Sequence, residues 1–177
     1  MKEVSRRRFL AVSAATAAAV SAGPALAKVG KSRTLKMRNL HTGERLNASY
    51  WADGDYVGSG LKQFNRLLRD HRANEVTRMD PKVLDIVYKI KEKLNFNGEV
   101  EIISGYRSAK TNAKLRAAGR GVARRSYHTR GMAIDIRMPG IPLSKVRKAA
   151  LDLKAGGVGY YPKSNFVHVD TGPVRRW

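Results

Sequence analysis

The sequence predicts an α+β fold in a single compact domain, a small antiparallel sheet flanked by helices. Helical periodicity is concentrated early in the chain, while short β-branched and alternating segments cluster late, a segregation that argues against a regular α/β alternation. At 177 residues the chain has the length of one domain with a proper core. Hydrophobic residues make up 42% and charged residues 28%, the balance of a globular chain rather than a membrane or disordered one.

The elements follow in order. Residues 33–40 and 45–51 read as strands joined by His41-Thr42-Gly43-Glu44, a hairpin turn that gives His41 a structural place. Gly58-Ser59-Gly60 leads into a helix with Leu61, Phe64, Leu67 and Leu68 on one face. His71 follows at its basic C-terminal end, where a cation suits the helix dipole, and reads as a structural residue or a surface contact. Asp80-Pro81 starts the next helix, with a carboxylate N-cap and Pro at the first helical position. Its core stripe is Val83, Leu84, Val87, Ile90, Lys91 and Leu94. Beyond Asn97-Gly98 come a strand at 100–103, a short helix at 111–118 stopped by Gly119, a strand at 132–137 and a helix at 142–153. Two strands, 158–161 and 166–171, close the chain.

The chain contains no cysteine, which excludes disulfides, thiolate metal sites, iron–sulfur clusters, cysteine nucleophiles and a cysteine-linked lipid anchor. Any metal must be held by His, Asp or Glu, and there are only four His, at 41, 71, 128 and 168. Residues 1–27 read as a twin-arginine signal peptide. Ser5-Arg6-Arg7-Arg8-Phe9-Leu10 is followed by an Ala-rich apolar run too short to span a bilayer, then by the cleavage pattern Ala25-Leu26-Ala27. The domain is then 28–177, periplasmic or otherwise in the cell envelope, with no stable membrane anchor. The formal net charge is +21. In a cytosolic chain that would suggest nucleic acid; in an exported one it suits an anionic envelope partner, and a merely solvated surface explains it equally well.

The chemistry sits in the second half. His128 lies in an arginine-rich loop, and on the strand that follows Ala133, Asp135 and Arg137 face opposite to Met132, Ile134 and Ile136. In Phe166-Val167-His168-Val169-Asp170, the valines share one face while Phe166, His168 and Asp170 share the other. If the two strands are neighbours, Asp135 and His168 converge and His128 caps them from the loop. Two His and one carboxylate would leave open positions on a catalytic metal. By pattern alone, Asp135 reads as well as a partner for Arg, and His168 as a satisfied core histidine.

Ser126-Tyr127-His128-Thr129-Arg130-Gly131-Met132-Ala133-Ile134-Asp135 resembles the S-x-H-x-x-G-x-A-x-D motif of the zinc peptidases grouped as lysostaphin, D-Ala-D-Ala metallopeptidases and sonic hedgehog. Phe166-Val167-His168-Val169-Asp170 resembles their second motif, and Ser104-Gly105-Tyr106-Arg107-Ser108 the segment upstream of the zinc site in the D-Ala-D-Ala branch. The chain is most similar to the murein endopeptidase K-like branch. The resemblance implies a zinc cleft and hydrolysis of peptidoglycan peptide stems or crosslinks, with His128, Asp135 and His168 as Zn2+ ligands. Arg107 matches the arginine that stabilises the oxyanion or anchors substrate, a structural salt bridge being its plainer role. Ser126 is expected to bond within its loop or to substrate, and Tyr160, with Tyr161, to wall the cleft unless it packs in the core.

Many such enzymes carry a carboxylate three residues before the last zinc His, or a His two residues before it; here those positions hold Asn165 and Phe166. The general base is therefore expected at Asp170, two residues beyond His168 on the same face. An orienting role for Asp170, or a salt bridge to Arg175 or Arg176, competes with that assignment. A non-catalytic peptidoglycan-binding protein that keeps the fold is the alternative function. The expected partners are peptidoglycan peptides and no nucleic acid, for a monomer.

Overall fold

The computed structural model describes residues 31–119 and 121–177. The leader expected at 1–27 lies outside the described residues. One mixed sheet organises the chain, in the order β3-β2-β1-β4-β5-β7-β6-β8. Its strands are β1 (Ser32–Asn39), β2 (Arg45–Ala52), β3 (Asp55–Tyr56), β4 (Val100–Ser104), β5 (Ala133–Arg137), β6 (Gly157–Tyr161), β7 (Phe166–Asp170) and β8 (Arg175–Arg176). The helices are α1 (Gly58–Leu67), α2 (Pro81–Lys93), α3 (Ala109–Ala117) and α4 (Leu143–Asp152). The α+β expectation holds, but the sheet is larger and not wholly antiparallel: β1 pairs with β4, and β6 with β8, in parallel. The intervening chain makes this possible, since α1 and α2 return it to the starting edge before β4 begins. The two-residue strands β3 and β8 are too short to leave a periodic signal.

The core lies between the sheet and the helices. Leu35, Met37, Ile102, Ile134, Ile136, Val167 and Val169 meet Val83, Leu84, Val87 and Ile90 of α2 and Val146, Ala149 and Ala150 of α4, all buried. Because side chains alternate along a strand, burying Ile134, Ile136, Val167 and Val169 on the helix side turns Asp135 and His168 to the other face. α2 and α4 therefore set the orientation of the site from the opposite face of the sheet.

Asp80 ties the frame together. One carboxylate oxygen accepts from the Lys82 amide as N-cap of α2, and the other accepts from the Thr171 hydroxyl just past β7 at 2.7 Å. Its own amide donates to the Gly131 carbonyl. His71 has a structural place. Its ring stacks on His41, with centroids 4.0 Å apart and planes at 15°. Burial, then the neighbouring His41, pushes its pKa down to about 4, so it is neutral rather than a helix-capping cation.

Candidate metal centre

Register decides the site. β5 and β7 pair antiparallel with Asp135 directly opposite His168. His128 comes from a 3-10 turn, Tyr127–Arg130, whose N-cap Ser126 accepts the His128 amide through its hydroxyl. The turn closes at Gly131, where φ is 68°. The result is a buried cluster: His128 Nε2 lies 3.1 Å from His168 Nδ1 and 3.2 Å from Asp135 Oδ1, and His168 Nδ1 lies 2.8 Å from the same oxygen. The three residues are 4–7% exposed.

The second nitrogen of each ring fixes its tautomer. His128 Nδ1 lies 2.7 Å from the Gly105 carbonyl, which only accepts, so Nδ1 carries the hydrogen and Nε2 turns its lone pair to the cluster. His168 Nε2 donates to Asp170 Oδ2 at 2.9 Å, which leaves Nδ1 to face Asp135 and His128. Two lone pairs and a carboxylate oxygen within 3.2 Å of one another require a shared cation, a proton or a metal ion. The ionisation of the groups agrees. Burial disfavours the charged form of His168, yet hydrogen bonds to Asp135 and Asp170 outweigh it and raise its pKa to about 9. Burial likewise opposes ionisation of Asp135, but the two imidazoles hold it well below the usual carboxylate range. The donor atoms all lie within 4.8 Å of one another, so the residues fit a single metal ion.

The cluster forms the floor of an open cleft of about 700 Å³. Arg107 and Arg125 line it, and Tyr127, Tyr161, Phe166 and Trp177 form an aromatic wall. Arg107 is 92% buried. Its guanidinium meets Asn112 Oδ1 at 3.3 Å and Ser104 Oγ at 3.4 Å, and Nε has no partner. Among the described residues it forms no salt bridge, against the structural alternative for this residue. Burial lowers its pKa, opposed by the charge of Asp135, and a guanidinium still remains ionised.

Two sequence expectations change. Tyr160 does not line the cleft: it shares the face of Val158, packs against the core, and carries Arg147 over its ring at 4.9 Å. Alternation gives the cleft to Tyr161, a distinction that was readable from the sequence. Asp170 lies beyond His168, on the far side of the ring from the cluster. Its oxygens accept from His168 Nε2, both terminal nitrogens of Arg175 at 3.0 and 2.6 Å, and the amides of Gly157 and Gly172. Fully buried, it has neither a free lone pair nor a line to the cleft, so the geometry is that of a positioning residue rather than a base. Asn165 is exposed at a left-handed turn, and Phe166 stacks on Tyr161, so the positions that carry an acid or base in many similar enzymes supply none here.

The loop bearing Gly105 and Arg107 is braced from Asp70, which the sequence did not single out. Asp70 Oδ2 accepts the Ser108 amide at 2.9 Å, and the Leu68 carbonyl accepts the Tyr106 amide. A side chain at Gly105 would collide with that carbonyl, so only glycine permits the approach. The loop in turn bonds the metal turn, the Arg107 amide donating to the His128 carbonyl at 3.1 Å.

Comparison with known proteins places the chain in a family. The profile of the family described as peptidoglycan L,D-endopeptidase MepK matches residues 27–177. The chain belongs to this family. The peptidoglycan L,D-endopeptidase MepK of Escherichia coli (strain K12) is 47% identical, across 99% of this chain and 98% of its own. The protein of the same name from Shigella flexneri shows the same identity and coverage. The "Probable peptidoglycan L,D-endopeptidase MepK" of Haemophilus influenzae is 49% identical over 86% of this chain and 83% of its own. No solved structure matches the chain significantly. Family members of this type are metallopeptidases, in keeping with the donor set.

Asp70 gives a pH prediction. Burial opposes its ionisation, but hydrogen bonds from Thr111 and Ser108 outweigh this and hold its pKa at about 2, below the ordinary 3.8. Its contribution to stability is therefore complete above the unfolded value and is lost as pH falls through about 2. Asp70→Asn should lower the denaturation midpoint at neutral pH and flatten the decline between pH 4 and 2, read from urea unfolding at a series of pH values.

Proposed function

We propose that this chain is a zinc-dependent peptidoglycan endopeptidase that cuts L,D peptide bonds in crosslinked stems. The observation that carries this reading is the pair of tautomer-fixed imidazoles facing one carboxylate on the floor of a cleft, in a chain of this family. His128 Nε2, His168 Nδ1 and a carboxylate oxygen of Asp135 would hold the ion, two nitrogens and an oxygen leaving positions open, as in catalytic rather than structural zinc sites. Zinc bound there supplies Lewis-acid polarisation and a water of lowered pKa. Arg107 offers a desolvated guanidinium to a substrate oxygen, and the aromatic wall holds the peptide and excludes water. Ser126 serves substrate indirectly, by holding the turn that carries His128. Asp170 fixes the His168 ring.

The bond assignment follows the names of the relatives. In the 3–3 crosslink the scissile amide joins an L centre to a D centre, whereas in the 4–3 crosslink it joins two D centres. The excess of basic side chains suits an acidic peptide polymer. We infer that residues 1–27 are a twin-arginine leader for export to the periplasm, supported by the Arg6-Arg7 pair and by a family match that begins at residue 27.

Three measurements test these readings. Purified protein with zinc should convert 3–3 muropeptide dimers to monomers and leave 4–3 dimers intact, read by mass spectrometry; a zinc-loaded protein that cuts neither is a wall-binding protein instead. His128→Ala and His168→Ala should abolish zinc retention, and Asp170→Asn should weaken zinc affinity by ~10–100-fold. A fall in turnover of ~10²–10⁴ in Asp170→Asn with zinc still fully bound would instead restore Asp170 as the base. Replacing Arg6 and Arg7 by Lys should leave the precursor in the cytoplasm, and normal processing of that variant would rule out the twin-arginine route.

A further inference from the structure

Resting on the endopeptidase reading above, we propose that Tyr161 is a catalytic residue whose hydroxyl donates a hydrogen bond to the carbonyl oxygen of the scissile amide, and that Trp177 positions it. Tyr161 ends β6 on the cleft face, two residues beyond Gly159, which pairs in register with His168. It lines the same cleft as Arg107, His128, Asp135 and His168. Its oxygen accepts from Trp177 Nε1 at 2.7 Å. An indole N–H can only donate, so this contact occupies a lone pair of the phenol and leaves the phenolic hydrogen to point elsewhere. Among the described residues no acceptor takes that hydrogen. A donor that is held by its own oxygen, with its hydrogen free at the edge of a cleft, is arranged to meet an oxygen arriving with the substrate.

The pair is built rather than incidental. The Tyr161 ring stacks on Phe166 at 4.5 Å and 20°. The Trp177 indole leans on His168 at 5.2 Å and receives the Arg175 guanidinium at 4.9 Å. Its backbone is fixed to β6 on both sides, the Tyr160 amide donating to the Trp177 carbonyl and the Trp177 amide to that of Val158. Gly159 makes the arrangement possible. A Cβ there would lie 2.7 Å from the indole and 2.8 Å from the Tyr161 ring, so any side chain would expel one of them. Apart from the three cluster residues, no carboxylate or imidazole lines the cleft among the described residues. Stabilisation of negative charge on the substrate therefore falls to the donors that remain there, Arg107 and Tyr161 among them. Tyr161 gives up no proton in this role; it supplies a fixed dipole where charge develops.

The test uses the full-length mature protein loaded with zinc and 3–3 muropeptide dimers. Tyr161→Phe keeps the ring and its stack on Phe166 and removes only the hydroxyl. It should lower kcat by ~10²-fold, the scale of losing one oxyanion donor, with KM, zinc stoichiometry and thermal midpoint unchanged. Metal-free protein, which leaves the dimer uncut, should bind it equally well with either residue, because the bond to Tyr161 strengthens only as charge develops. Trp177→Phe should cost less, and adding it to Tyr161→Phe should cost nothing more, because Trp177 acts through the hydroxyl. Wild-type kcat in Tyr161→Phe would overturn the catalytic role. Independent, multiplying losses in the double variant would overturn the positioning by Trp177. A wild-type protein inactive on the same dimers would instead overturn the endopeptidase reading itself.

Discussion

Everything at the site depends on the pairing of β5 with β7 in the one register that sets Asp135 against His168. A shift of one residue would turn Ile134 and Val167 toward the cleft and bury the ligands among the helices. That error is prevented from behind. Ile134, Ile136, Val167 and Val169 are at most 1% exposed, and their burial against α2 and α4 specifies the register far more strongly than the polar residues could. The apolar face is thus the reason that the polar face has a geometry.

A second layer turns convergence into chemistry. Gly105 meets the His128 ring and Asp170 the His168 ring, each leaving one nitrogen for the cluster. Each orienting group is itself restrained. The Gly105 loop is anchored on Leu68 and Asp70, and Asp170 on Arg175 and two amides. Arg175 also lies 4.8 Å from the Tyr127 ring and 4.9 Å from that of Trp177, so one guanidinium joins the back of a ligand to the wall of the cleft.

The long elements were legible in the sequence because burial imprints periodicity. The stripe of α2, the Asp80-Pro81 start and the alternation around His168 each appear in the fold where the pattern put them. Convergence of His128, Asp135 and His168 was also anticipated, through strand alternation and a motif whose parts occur in the right order. What was not legible is non-local. Asp70 acts through a backbone amide 38 positions away, and nothing in its own neighbourhood marks it. The parallel insertion of β1 beside β4 leaves no periodic trace. For Asp170 the limit was different: alternation gives the face of a side chain, not which end of a neighbouring imidazole it meets. Tyr160 was a choice between adjacent residues, and the apolar company of Val158 would have decided it.

The brace from Asp70, the turn of His128 and the strand of His168 span some hundred residues, and no one segment holds more than part of the cluster. The coordination sphere is accordingly a property of the completed sheet. Isolated stretches of the chain carry ligands, but not the fixed tautomers and register that make them converge. By linkage, an ion that binds only the finished arrangement adds its binding free energy to that of folding. The supply of metal in the compartment where the sheet closes thereby becomes a determinant of how long the protein survives there, as well as of whether it works.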